Sequence, residues 1–243
     1  VSFAIRQALR FSASSDRDMG KAPRIVELSF DGPQAAKNPN QKVITWVRHG
    51  ESTANAAGTY QGGPNRLTPA FRDAPLTQKG QEQARALQPH VPNWGVELIV
   101  CSPLTRAMQT CAIACETITD VPIAINHHIT EYYSNEPENQ GRGGTELRAC
   151  SHLMSLRRYE CLRLAGVEEL RSDWWEGLEH SKRLLTFTEY LRECKQSNIA
   201  VFAHYVAIQR MLSSLVNGTN VGLKNCEAVC TVLEWPEEKN VGV

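Results

Sequence analysis

Val43-Ile44-Thr45-Trp46-Val47-Arg48-His49-Gly50-Glu51-Ser52 is the stretch on which the reading of this chain turns. Its first five residues are β-branched or aromatic, the composition of a short buried strand. The next five are polar and begin with a permanent cation and an imidazole. Similar apolar runs lie at 98–101, 121–125, 199–203 and 229–233, and helical patterns fall between them at 78–87, 106–117, 181–193 and 207–215. Strands alternating with helices predict an α/β fold. The expected architecture is a three-layer sandwich, with a mostly parallel central sheet and helices on both faces.

In such a sheet, ligands bind beyond the carboxyl ends of the strands. Three strand ends carry suggestive residues: Arg48-His49-Gly50 after the first, Ser102-Pro103-Leu104-Thr105-Arg106 after the second, and His204-Tyr205 after the fourth. A neutral imidazole attacks phosphorus when its other nitrogen keeps its proton on a carbonyl or carboxylate. The charge on a transferring phosphoryl group then needs cations around its oxygens, and arginine offers a planar fork that matches them. Arg48, Arg106 and His204 are of the right types, and Asn55 adds a neutral donor. Gly50 lets the backbone approach closely. Arg106 opens a predicted helix, where the backbone dipole disfavours a cation but welcomes a phosphate held by both. A leaving oxygen also needs a proton, and a carboxylic acid kept protonated by its surroundings supplies one. Glu131, flanked by Tyr132 and Tyr133 after the third strand, is the candidate, with Glu136 and Glu138 as rivals.

Working outward, the chain has 243 residues, with 42% hydrophobic and 21% charged residues. This is a globular composition, long enough for one generous domain. Lys plus Arg and Asp plus Glu both number 26, so the formal net charge is zero and no global field draws the protein to nucleic acid or anionic lipid. No apolar run approaches the roughly 18–20 residues of a membrane helix. Eight cysteines without a C-x-x-C pair read as free thiols in a reducing compartment. Residues 1–40 are rich in Ser, Gly, Pro, Asn and charge, and are assigned to a partly irregular N-terminal extension; 41–243 is the catalytic domain. The chain does not begin with Met, so its start reads as a processed or trimmed end. Ile5, Arg6, Leu9 and Arg10 allow an organelle transit remnant as the alternative to a cytoplasmic protein, although Asp16, Asp18 and Glu27 weigh against it. His127-His128 are read as strand neighbours pointing to opposite faces, hence no metal site.

With these residues in view, the sequence resembles the histidine phosphatase superfamily in its phosphoglycerate mutase-like branch, branch 1. Arg48-His49-Gly50-Glu51-Ser52 with Asn55 resembles its signature. Ala74-Pro75-Leu76-Thr77 with Gly80, Gln83 and Ala84 resembles its P-L-T-x-x-G-x-x-Q-A segment. Ser102-Pro103-Leu104-x-Arg106-Ala107-x-Gln109-Thr110 resembles its S-P-L-x-R-A-x-x-T segment, and 199–204 resembles the strand that ends in its second catalytic histidine. Asn225-Cys226-Glu227 resembles the segment before its last strand. The resemblance implies a phosphoglycerate mutase-like fold with His49 as the phosphorylated nucleophile. It makes Arg48, Arg106, His204 and Asn55 the phosphate pocket and Glu131 the acid and base. It implies no metal and no cofactor, and a small phosphorylated substrate as partner. The substrate rim is assigned to Tyr205, Arg142 and Gly62.

Two departures matter. Tyr205 stands where the family has glycine. The stretch from Glu131 to about Leu170 is the least family-like; its Gly-rich turn reads as a lid or substrate loop, Arg142 as a contact for a second anionic group, and Arg148, Arg157, Arg158 and Arg163 as a solvated helical face. The expected function is metal-independent hydrolysis of phosphate monoesters through a phosphohistidine. The alternatives are phosphoglycerate mutase-type transfer and a low-activity module that binds phosphorylated ligands. Mutases of the family carry an R-H-Y-G-like segment after the acid, whereas Glu131 is followed by Tyr132-Tyr133-Ser134-Asn135, which argues against the mutase.

Overall fold

The computed structural model describes residues 9–10, 22–32, 34–59, 63–177, 180–215 and 221–237. Among them are seven strands in one sheet: β1 Leu9–Arg10, β2 Arg24–Ser29, β3 Gln41–Arg48, β4 Leu98–Cys101, β5 Ile123–Ile125, β6 Asn198–Ala203 and β7 Ala228–Glu234. Their order is β1-β2-β7-β3-β6-β4-β5. Strands β3, β6, β4 and β5 are mutually parallel. β7 runs against β3, and β2 against β7, so β2 points the same way as the parallel four. Part of the segment assigned to the extension is therefore a strand of the sheet. The β2 run, Arg24-Ile-Val-Glu-Leu-Ser29, buries Ile25 and Leu28 against the core. Gly62 and the stretch around Ile5 and Arg6 lie outside the described residues.

The helices are α1 Thr53–Ala56, α2 Gln78–Arg85, α3 Thr105–Ala114, α4 Gly144–Arg148, α5 Ser151–Met154, α6 Tyr159–Leu164, α7 His180–Glu193 and α8 Tyr205–Leu215. Their layers follow from the two-residue period of the strands. Ile44 and Trp46 of β3, Leu98 and Val100 of β4, and Ile199 and Val201 of β6 pack on Phe187 and Leu191 of α7 and on Ile208, Met211 and Leu212 of α8. The alternate residues, Val47, Ile99, Cys101, Ala200 and Phe202, pack on Ala107, Met108 and Cys111 of α3 and on Leu147, Leu153 and Leu162 of α4–α6. Strands that are apolar on both faces need helices on both sides, and the three-layer sandwich results. Burying each large aliphatic side chain in these layers contributes about 1.5–3 kcal/mol. All eight cysteines are unpaired. Among the described residues no helix is long and apolar enough to cross a membrane.

Register aligns the strand ends. Arg48 pairs with Ala203, and Cys101 with Phe202. The His49 amide then donates to Ala203 O at 3.0 Å, and the Ser102 amide to Phe202 O at 3.0 Å. His49, His204 and Ser102 thus leave three adjacent parallel strands at their carboxyl ends.

Candidate active site

The loop after β3 is held by a close approach that only glycine permits. A Cβ on Gly50 would stand 2.5 Å from Gly80 O, and one on Gly80 would stand 2.1 Å from Glu51 O. The two motif glycines therefore face each other, and the α2 N-terminus packs directly on the loop after β3. Thr77 caps α2 through its hydroxyl, which accepts the Gly80 amide at 3.0 Å, and its own amide donates to Glu51 O at 2.9 Å. The Gly50 amide donates to Thr110 Oγ1 at 3.0 Å, and that hydroxyl donates to Arg106 O at 2.7 Å. Thr110 thereby fixes the loop after β3 to the helix that carries Arg106.

His49 and His204 lie with ring centroids 5.1 Å apart. His49 Nδ1 is 2.7 Å from Gly50 O, an acceptor only, so Nδ1 carries the proton and Nε2 presents its lone pair. Arg106 Nε donates to that Nε2 at 3.3 Å. Burial, Arg106 and Arg48 hold the His49 pKa well below the ordinary histidine value, so the ring is neutral at pH 7. Burial, then Arg106 and His49, lower His204 in the same way. His204 Nε2 lies 2.7 Å from Ser102 Oγ.

Arg106 sits in the first turn of α3. Its Nη2 donates to Asn139 Oδ1 at 2.8 Å and its Nη1 to the Glu138 carbonyl. The α3 N-terminus is capped from a distance by the buried Asp73, whose carboxylate accepts the Thr105 amide at 2.8 Å and the Thr105 hydroxyl at 2.6 Å. Arg48 donates from Nη1 to Leu223 O at 2.8 Å and lies 5.0 Å from the centroid of the Tyr205 ring. Arg48 Nε and His204 Nδ1 are buried polar atoms without a hydrogen-bond partner. Native proteins seldom leave such groups unsatisfied except where a ligand or a reaction uses them.

Glu131 is partly buried beneath the N-terminus of α8, the helix that begins immediately after His204. Its two oxygens accept the Ala207 amide at 3.0 Å, the Val206 amide at 3.2 Å and the Tyr132 amide at 3.0 Å. Burial raises its pKa, while those amides and Arg106 oppose the rise. The cap ties Glu131 to the backbone two and three residues beyond His204. Its rivals are engaged elsewhere: Glu136 pairs with Arg66 at 3.3 Å, and the Glu138 carboxylate accepts the Thr59 hydroxyl.

The structure thus brings buried His49, His204 and Arg106 together with partly buried Arg48 and Glu131 in one cluster. Asn55 sits beside it. Its Oδ1 accepts the Ser52 amide at 3.3 Å in a capping box on α1 and faces Asn225 Nδ2 at 3.5 Å; the same Nδ2 donates to His49 O at 3.0 Å. Tyr205, 37% exposed, forms a wall over Arg48. The His49 residue is only 3% exposed. Its Nε2 lone pair accepts the Arg106 Nε hydrogen.

Arg142, assigned to the substrate rim, pairs with Asp73 at 3.3 Å and Glu146 at 3.9 Å and donates to Arg72 O. Two expectations are amended. Arg158 is not solvated: it is buried and donates to the carbonyls of Cys115, Thr119 and Val121, closing the loop before β5. His127 and His128 lie in a 3-10 turn, not a strand, and their rings are 4.2 Å apart. Burial, His127 and Arg183 lower the His128 pKa to about 4. No group of three or more His, Cys, Asp or Glu suited to a metal ion occurs among the described residues. Sequence reasoning missed Asp73 and Asn139 as supports, and gave Asn225 only as part of a family-like segment. For Thr110 a signal existed, because its four-residue spacing from Arg106 places both on one helix face.

A family model described as the histidine phosphatase superfamily (branch 1) matches residues 44–241. Over 92 residues the chain is 36% identical to an adenosylcobalamin/alpha-ribazole phosphatase of Salmonella typhimurium, covering 38% of this chain and 41% of that protein. Over 98 residues it is 32% identical to the 2,3-bisphosphoglycerate-dependent phosphoglycerate mutase 2 of Arabidopsis thaliana, covering 37% of this chain and 27% of the relative. The chain thus matches less than half the length of these relatives. Among solved structures, a phosphoglycerate mutase from Bacillus anthracis superposes with a TM-score of 0.52 at 17% identity, over 79% of this chain and 88% of that one. A mycobacterial glucosyl-3-phosphoglycerate phosphatase superposes with a TM-score of 0.51 at 17% identity, over 80% and 96%. At these identities the structures share the fold.

Proposed function

Because the chain belongs to the histidine phosphatase superfamily, we propose that it is a phosphatase that hydrolyses small phosphate monoesters through a phosphohistidine on His49, without a metal. The observation that carries this reading is the state of the His49 ring: neutral, with Nδ1–H on Gly50 O and the Nε2 lone pair facing the Arg106 guanidinium. A phosphate that displaces Arg106 Nε from Nε2 exchanges one acceptor for another on the same cation. Its other oxygens would meet Arg48 Nε and His204 Nδ1, which are among the buried atoms without partners.

In the first step the Nε2 lone pair forms a bond to phosphorus while the bond from phosphorus to the leaving oxygen breaks. Glu131, held protonated longer than an exposed glutamate, gives its proton to that oxygen. Water then attacks the phosphohistidine, Glu131 takes the proton from the water, and the N–P bond breaks to release phosphate and neutral His49. The eight free thiols accord with a cytoplasmic enzyme.

The test is hydrolysis of p-nitrophenyl phosphate in the presence of EDTA by the wild type and by His49→Ala. A loss of about 10³-fold or more is expected on removal of the nucleophile; equal rates overturn the mechanism. The 3% exposure of His49 favours a second reading, a module that binds phosphorylated ligands with little turnover. Phosphate binding without measurable turnover in the wild type selects it. Rapid interconversion of phosphoglycerates without release of free phosphate selects a mutase.

A further inference from the structure

The phosphate-gripping arginine is held by one buried amide. Asn139, 2% exposed, ends the turn Pro137–Asn139 within the stretch that resembles the family least. Its Oδ1 accepts Arg106 Nη2 at 2.8 Å. Its Nδ2 donates to Tyr132 O at 2.8 Å and faces Tyr133 O at 3.3 Å. Both ends of the amide are therefore used, one on Arg106 and the other chiefly on the backbone directly after Glu131, with Glu136 Oε2 at 3.4 Å from the same nitrogen. The neighbouring Glu138 carbonyl takes Arg106 Nη1. A guanidinium has five N–H donors in a rigid plane, so two acceptors on its terminal nitrogens fix that plane.

We propose that Asn139 is a positioning residue for oxyanion binding: it fixes the plane of the Arg106 guanidinium and keeps it in register with the segment that carries Glu131. The proposal rests on the reading of Arg106 as a phosphate ligand. An arginine on α3 and an acid after β5 belong to separate elements, and a small misplacement between them is costly where charge must be matched. Asn139 bridges the two through a single planar group. The alternative is that it merely stabilises its own turn.

The experiment measures orthovanadate binding by calorimetry, and inhibition of any turnover, for the wild type, Asn139→Ala, Arg106→Ala and the double variant, with melting temperatures alongside. Asn139→Ala is expected to weaken vanadate about 10-fold, the scale of a lost hydrogen bond to a charged group. In the Arg106→Ala background it is expected to change vanadate affinity less than twofold, because the group it orients is gone. Unchanged affinity in Asn139→Ala, with Arg106→Ala weakened, overturns the proposal and leaves the pocket reading intact. Equal losses in both backgrounds assign Asn139 a purely structural role and also overturn it. Unchanged affinity in Arg106→Ala removes the pocket reading itself. Asn139→Ser, which keeps a polar group in the turn, replaces the alanine variant if that one does not fold, and the same pattern is expected.

Discussion

Replacing Asp73 by asparagine is expected to remove a pH dependence of stability whose sign is opposite to that of most carboxylates. Asp73 is buried against the start of α3, and burial pushes its pKa up from 3.8 to about 6 although Thr105, Arg106 and Arg142 oppose the shift. The native state therefore binds the proton more tightly than the unfolded chain. Below about pH 3.8 both states are protonated and the group contributes nothing. As pH rises from there to 6, the unfolded chain ionises freely while the native state resists, so stability falls. A difference of roughly 2.2 pH units at about 1.36 kcal/mol each gives a loss of about 3 kcal/mol, complete above pH 6. The asparagine side chain keeps the shape and an acceptor for the Thr105 amide but has no charge to bury. Urea unfolding of wild type and Asp73→Asn between pH 4 and 7.5 provides the measurement. The wild type is expected to lose about 2–3 kcal/mol more than the variant over that interval, or about 5–10 °C in Tm for a chain of this size. Titrations common to both proteins cancel in the difference. Parallel stability curves, or a wild type that gains on the variant as pH rises, refute the reasoning.

Gly80→Ala places a Cβ 2.1 Å from Glu51 O. Alanine in a helix interior normally gains about 1 kcal/mol over glycine; here a loss of about 2 kcal/mol or more is expected in denaturant unfolding, with reduced turnover as the His49 loop shifts, and a stabilised variant contradicts the close approach. Tyr205→Gly removes the ring over Arg48, a contact worth about 0.5–1 kcal/mol at a partly exposed site. Leu223 O still holds the guanidinium, so small esters are expected to be turned over as fast or faster, and bulky esters to gain relative to them. A fall greater than about tenfold shows that the tyrosine takes part directly.

Much of this protein was legible in one dimension. The parallel strands β3, β4, β5 and β6 declare themselves as β-branched runs because they are apolar on both faces, and the residues that end them are polar because strand ends are where chemistry sits. Arg48, His49, Arg106 and His204 could be named on that ground as residue types suited to an anionic ligand. Strand β2 was harder to see: its run mixes Arg24 and Glu27 with apolar residues, as suits a place nearer the edge of the sheet, and it lies in a segment whose composition suggests a loop.

Tertiary structure decided what each polar side chain is for. Arg142 and Arg158 are equally plausible surface residues in sequence, yet one pairs with Asp73 and the other is buried among three carbonyls. His127 and His128 were placed on opposite faces by a strand period, and a 3-10 turn brought their rings together. Asp73 and Asn139 carry no local signal because their partners, Thr105 and Arg106, lie 32 and 33 residues away; Asn225 stands in a family-like segment, but its bond to His49 O, 176 residues away, is made only by the fold. Apolar patterning is written locally, since each strand or helix must bury its own face. The environment of a charge is not, because desolvation and hydrogen bonding depend on groups that only folding brings into contact.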